Sequence, residues 1–134
     1  MARPRFVGAP VAVAALALSA ATARADPMQI AVLQALDKVS ARVSVLEVPV
    51  GKTVAFGTLE ITARACDKRP PEETPESAAF LEITDKRPGQ APKTPFVGWM
   101  FASSPALSAM EHPVYDVWVL DCKNASSSAS ESSP

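Results

Sequence analysis

The sequence predicts an all-β domain, a small six-stranded sandwich or partly open barrel with a short N-terminal helix and one disulfide. Three observations carry this expectation. Apolar and polar residues alternate at a period of two in several stretches of residues 38–123, prolines and glycines punctuate the gaps, and no long stretch has helical spacing.

Residues 1–25 read as a cleavable export signal. Arg3 and Arg5 open it, residues 6–21 carry no charge, and Ala23 and Ala25 place small side chains at the two positions a signal peptidase reads. The apolar run is rich in alanine and interrupted by Gly8 and Pro10. It falls short of the roughly 20 strongly apolar residues of a spanning helix, so no stable membrane span is expected after cleavage. Pro4 separates the arginines, which excludes a twin-arginine signal, and no cysteine stands near the cleavage point to carry a lipid. Sec-type export to the periplasm is the expected route.

Residues 26–37 are expected to form a short helix or lead-in, because Ile30, Leu33 and Leu36 recur three apart in a stretch free of glycine. The β domain is expected over residues 38–123. Its first strand is half-buried: Val39, Ala41, Val43 and Val45 alternate with Ser40, Arg42 and Ser44 until Pro49 and Gly51 end it. Residues 52–56 make a second strand and Gly57 a tight turn. Leu59, Ile61, Ala63 and Ala65 then alternate with Glu60, Thr62 and Arg64 in a third strand ending at Cys66.

Residues 68–77 hold Pro70, Pro71, Pro75 and three glutamates, a composition that reads as an exposed loop. Ala79, Leu81 and Ile83 begin a fourth strand closed by Pro88 and Gly89. The almost unbroken apolar run of residues 96–102 predicts a fifth, buried on both faces. Ser104 and Pro105 open a helical or turn segment reaching Met110, with serine as cap and proline in first position. Residues 114–122 form the sixth strand, and the serine-rich residues 124–134 are expected to be a disordered tail.

One internal similarity bears on the topology. Leu59-Glu60-Ile61-Thr62, followed after a gap by Asp67-Lys68-Arg69-Pro70, recurs as Leu81-Glu82-Ile83-Thr84 running straight into Asp85-Lys86-Arg87-Pro88. Antiparallel pairing of the two strands would set the Lys-Arg pairs at opposite ends of the domain, and parallel pairing would merge them into one basic patch.

Three of the thirteen basic residues lie in residues 1–25, which leaves ten against fourteen acidic ones and a net charge near −4 after cleavage. That balance offers no electrostatic reason to bind nucleic acid or an anionic membrane. Cys66 and Cys122, paired in number and placed in an exported chain, are expected to form a structural disulfide. The bridge would close 57 residues counted inclusively, and a loop of that size contributes about 4 kcal/mol. The absence of a CxxC spacing and the presence of a single histidine argue against a redox-active or metal-binding thiol pair.

Few residues of the chain offer chemistry. Gly51-Lys52-Thr53 resembles the end of a phosphate loop, but Leu46 stands where that loop needs glycine. A small hydrolase using Ser103 or Ser104 with His112 is the alternative functional reading. No nucleophile elbow surrounds those serines, however, and Glu111-His112-Pro113 reads as a turn entering the last strand. No catalytic residue, metal or cofactor is expected. Aromatic residues are concentrated instead: Phe96, Trp99, Phe101, Tyr115 and Trp118 fall within one stretch. Alternation places Trp99 and Phe101 on one strand face, and Trp118 on the face of Val114 and Leu120. These rings build either a core or a partner-binding face, and burial discriminates the two. The candidate interaction residues are Trp99, Phe101, Glu111, His112, Tyr115 and Trp118.

Several blocks carry a resemblance: Leu36-Asp37-Lys38, Val48-Pro49-Val50-Gly51, Phe56-Gly57-Thr58-Leu59-Glu60-Ile61, Lys68-Arg69-Pro70-Pro71-Glu72-Glu73, and above all Gly98-Trp99-Met100-Phe101-Ala102-Ser103-Ser104-Pro105 with Glu111-His112-Pro113-Val114-Tyr115-Asp116-Val117-Trp118. Over about residues 36–123 the chain resembles an alphaproteobacterial family of exported proteins known as a domain of unknown function. Both cysteines stand where that family has them, whereas Asp67 replaces an aromatic. The resemblance implies no activity. It places the family's genes near one for an accessory subunit of respiratory complex I. The expected role is a non-catalytic periplasmic binding or interaction module, an accessory factor for an envelope or respiratory assembly whose partner is a periplasmic or envelope protein.

Overall fold

Two antiparallel sheets face each other in the computed structural model, which describes residues 3, 4, 8 and 25–125. The expected signal at residues 1–25 and the expected tail therefore lie almost wholly outside the described residues. The strands are β1 (Asp26–Pro27), β2 (Ile30–Asp37), β3 (Arg42–Pro49), β4 (Thr53–Phe56), β5 (Leu59–Lys68), β6 (Ser77–Asp85), β7 (Lys93–Phe101) and β8 (Tyr115–Lys123). The first sheet runs β1-β5-β6-β7, with β4 also pairing on β5, and the second runs β3-β2-β8. The all-β class and the disulfide are as the sequence predicts; the strand number and the helix are not.

The expected N-terminal helix is strand β2. Ile30, Leu33 and Leu36 do recur three apart, but Ala31, Leu33 and Ala35 recur two apart, and these three are the fully buried ones. Pairing decides between the two periods. β2 is the central strand of its sheet, hydrogen-bonded to β3 on one side and β8 on the other, so tertiary context overrides the local spacing. Together with the short β1, this raises the expected six strands to eight among the described residues.

The two copies of Leu-Glu-Ile-Thr sit side by side on β5 and β6. Ile61 pairs with Ile83 and Ala63 with Leu81, antiparallel, which sends the two Lys-Arg pairs to opposite ends of the sheet. Inward residues of both sheets merge into one core in which Leu33, Leu59, Ile61, Leu81, Ile83, Met100 and Val119 are almost entirely shielded from water. Cys66 of β5 and Cys122 of β8 join the two sheets through this core, with Cα atoms 5.7 Å apart. Beside the bridge, Lys68 pairs with Asp121 at 3.0 Å, and Ser77 Oγ donates to the same carboxylate at 3.2 Å.

Three further expectations change: the face of β3 that is buried, the burial of β7 and the length of the segment after it. The alternation at Val39, Ala41, Val43 and Val45 marks the outer face of β3, since Val43 and Val45 are exposed while Val48 is buried; Val39 and Ala41 lie in the turn before the strand. β7 is not buried on both faces but is an edge strand, with Val97 and Trp99 open to solvent. β8 is the outer strand of its sheet, sealed by the disulfide and by packing on β6. The segment after β7 is a single 3-10 turn, Pro105–Leu107, with proline at its start as expected; Ser104 precedes it without a side-chain capping bond.

Candidate functional site

Two features stand apart from ordinary core and surface: a buried polar node at one end of the first sheet, and an aromatic patch on its outer face. The node grows from the phase of β6. Ala79, Leu81 and Ile83 point inward, and Asp85 continues the same alternation, so a carboxylate arrives in the core at the strand's end, 5% exposed. Burying it is costly unless its oxygens are bonded. Thr58, in the turn between β4 and β5, donates to Oδ1 at 2.6 Å. Nε2 of His112 stands 2.8 Å from Oδ2, and Nε of Arg87 donates to the same oxygen at 3.0 Å.

The His112 tautomer follows from its other partners. Nδ1 accepts the backbone N–H groups of Val114 at 3.0 Å and Tyr115 at 3.2 Å, so the ring proton sits on Nε2 and is donated to Asp85. Burial favours the neutral form of Asp85, but the bonds from His112 and Thr58 and the charge of Arg87 outweigh it and hold the carboxyl below its usual 3.8. Tyr115 completes the node. Its ring packs edge-on against Phe56 at 5.7 Å and lies 5.2 Å from the His112 ring, directly over Gly57. At φ +58 and with Tyr115 against its Cα, that turn position admits only glycine.

A cleft of about 360 Å³ opens outside this node, bordered by Arg87, Lys93, Glu111 and His112 with Ala91, Pro95 and Pro113 as apolar walls. Chemically, the node is a hydrogen-bond clip around Asp85 that ties the β4–β5 turn, the end of β6 and the entry to β8.

The candidate serines are elsewhere. Ser103 donates its backbone N–H at 3.1 Å and its hydroxyl to Glu76, just before β6, whereas His112 is bound at the far end of β6. That strand has nine residues, so its ends are on the order of 26 Å apart and the structure does not bring Ser103 or its neighbour Ser104 to His112. Burial opposes ionisation of Glu76, but the Ser103 side chain and backbone, the Ser77 backbone and Arg69 together keep its carboxyl below its usual 4.5.

The candidate aromatics divide. Trp99 and Phe101 share the outer face of the first sheet, as alternation predicts, and stand opposite Phe80 and Ala78 of β6. Phe80, unnoticed in the sequence, packs edge-on against Trp99 at 5.6 Å. A groove of about 390 Å³ beside them is rimmed by Asp67, Arg69 and Glu76. Trp118 lies on the outer face of the other sheet, Tyr115 is in the core, and Glu111 is exposed at the cleft. Asp85, Thr58 and Arg87 escaped sequence reasoning. An acid on the inward phase of a strand was the available signal for the first; Arg87 stood in the repeated Asp-Lys-Arg-Pro segment and Thr58 beside Gly57, with no sign that either meets Asp85.

Among the described residues, no group of three His, Cys, Asp or Glu side chains is placed to hold a metal ion, and no helix is long and apolar enough to cross a membrane. The fold and these features define a disulfide-bridged all-β protein with a buried polar clip and an outward aromatic patch. The chain belongs to the family described as an uncharacterized protein conserved in bacteria (DUF2155), whose pattern matches residues 31–122. It is similar to the uncharacterized protein RP359 of Rickettsia prowazekii (strain Madrid E), 31% identical over 88 residues that make up 66% of this chain and 57% of the relative. The chain thus spans little more than half the length of that relative. No solved structure matches it.

Proposed function

We propose that this chain is an exported, non-catalytic interaction module that works in the periplasm and holds a protein of the cell envelope on the outer face around Trp99 and Phe101. The observation that carries this reading is the exposure of Val97 (56%) and Trp99 (37%) on an edge strand, beside Phe80 and Phe101, in a domain with an ample core of its own. Tryptophan and phenylalanine are the anchors that protein interfaces favour, and the charged rim of Asp67, Arg69 and Glu76 supplies the polar border such interfaces have. Among the described residues β7 pairs only with β6, so its other edge can accept an extended segment of the partner. Lys93 and Pro95 blunt the first part of that edge, which leaves residues 96–101 as the open part.

Export is supported by the charge pattern and small-residue site of residues 1–25 and by the disulfide, a bond that persists in oxidising compartments. An accessory role in an envelope or respiratory assembly fits a small module in which Ser103 and His112 are bound to separate carboxylates, Glu76 and Asp85. The experiment is photo-cross-linking in living cells from a reactive residue placed at 97, 99 or 101, with Thr53 on β4 as control position. The reading expects one envelope protein captured from the three patch positions and not from the control. No adduct, or the same adducts from every position, counts against it.

A further inference from the structure

We infer that the cleft beside Asp85 and His112 is a receptor for a carboxylate group, with Arg87 and Lys93 as its cationic contacts. Arg87 lines the cleft with its Nε held by the buried Asp85, which is itself fixed by Thr58 and His112. The guanidinium is thereby oriented before any ligand arrives, and its terminal nitrogens remain to donate. Nη2 lies 3.4 Å from Nε2 of His112. Because the two backbone N–H groups occupy Nδ1, the Nε2 atom carries the proton and cannot accept, so that edge of Arg87 lacks an acceptor there.

A planar guanidinium presents parallel donors that match a carboxylate, and pre-orientation lowers the entropy lost on binding. Lys93 borders the same cleft and has no ion-pair partner among the described residues. Ala91, Pro95 and Pro113 give the ligand's stem apolar walls, and Glu111 at the border disfavours ligands of higher negative charge. The cleft does not depend on the aromatic patch, because Lys93 stands opposite Asp85 in the strand register at one end of the sheet while Trp99 stands opposite Phe80 further along it.

The carboxylate could belong to a free small acid or to the end of a peptide chain, and three probes separate these: acetate, N-acetyl-trialanine with a free C-terminus, and the same peptide as its C-terminal amide. Nitrogen-edited NMR of the full oxidised protein follows the Arg87 Nε–H and the backbone amides of Gln90 and Lys93. Saturable shifts with the free acid and none with the amide are expected, weakened about tenfold by Lys93→Gln and by Arg87→Lys, which keeps the charge but loses the fork. Equal shifts with acetate assign a small-acid ligand, and shifts with the peptide acid alone assign a chain end; either supports the inference. Equal response to acid and amide, no saturation, or unchanged affinity in both variants overturns it. Lys93 is exposed at a strand end, so its variant tests the cleft without disturbing the core.

Discussion

His112 reaches Asp85 across 27 positions of sequence, Nε2 to Oδ2 at 2.8 Å, with both side chains nearly closed to water. This bond and the one from Thr58 fasten the loop before β8 to the far end of the other sheet. A hydrogen bond to a buried charged group contributes about 1.5–3 kcal/mol. Replacing Asp85 by asparagine should therefore cost about 2 kcal/mol in urea unfolding at neutral pH.

The same residue sets a pH dependence. The folded pKa of Asp85 lies below the usual 3.8, so its contribution is complete above that value and is lost as the pH falls from there through the lower folded value. Glu76, depressed from 4.5, adds in the same direction. Urea midpoints measured from pH 7 down to about pH 2 should fall steeply in the acid range for the native chain and less steeply for Asp85→Asn.

The bridge between Cys66 and Cys122 closes a loop of sequence separation 56, and a loop of this size contributes about 4 kcal/mol. Reduction, or a double substitution to alanine, should lower stability by about that amount, a large part of the roughly 5–15 kcal/mol typical of small domains. Chemical denaturation of oxidised and reduced protein checks it.

Gly57 adopts φ +58 beneath the ring of Tyr115. A Cβ there would meet both the strain of a left-handed backbone and the Tyr115 ring, so Gly57→Ala should destabilise by about 2–4 kcal/mol. Trimming Tyr115 to phenylalanine in the same chain should not restore it, because the ring carbons as well as the hydroxyl stand in the way. Thermal melts of the single and double variants separate these outcomes.

Much of the architecture was legible because it was local. Leu59, Ile61 and Ala63 alternate with polar residues, and the strand they announce is β5; Gly57 announces its turn, and the prolines of residues 68–77 mark the loop after it. What escaped depended on partners distant in sequence. β2 carries both a three-residue and a two-residue apolar period, and only pairing with β3 and β8 chooses between them. β7 is apolar enough for a central strand but has a single neighbouring strand among the described residues, so its outward rings form a patch rather than a second core layer. At the node, His112 looked like an isolated turn residue because Asp85, its partner, belongs to a different strand end. Tyr115 and Trp99 carry similar sequence signals, and only the stacking of the sheets decides that one is buried and the other open.

Binding at the patch around Trp99 and Phe101 is measured most directly by capture of the partner from periplasmic extract with the native chain and with a Trp99→Ala, Phe101→Ala variant. Trp99 packs edge-on against Phe80, a ring contact worth about 0.5–1.5 kcal/mol beyond its buried area, so circular dichroism and the intact disulfide are used to verify the fold of the variant. The native chain should retain one envelope protein, and the folded double variant should lose it by tenfold or more, about 1.4 kcal/mol or above. Equal retention of that protein by both would contradict it.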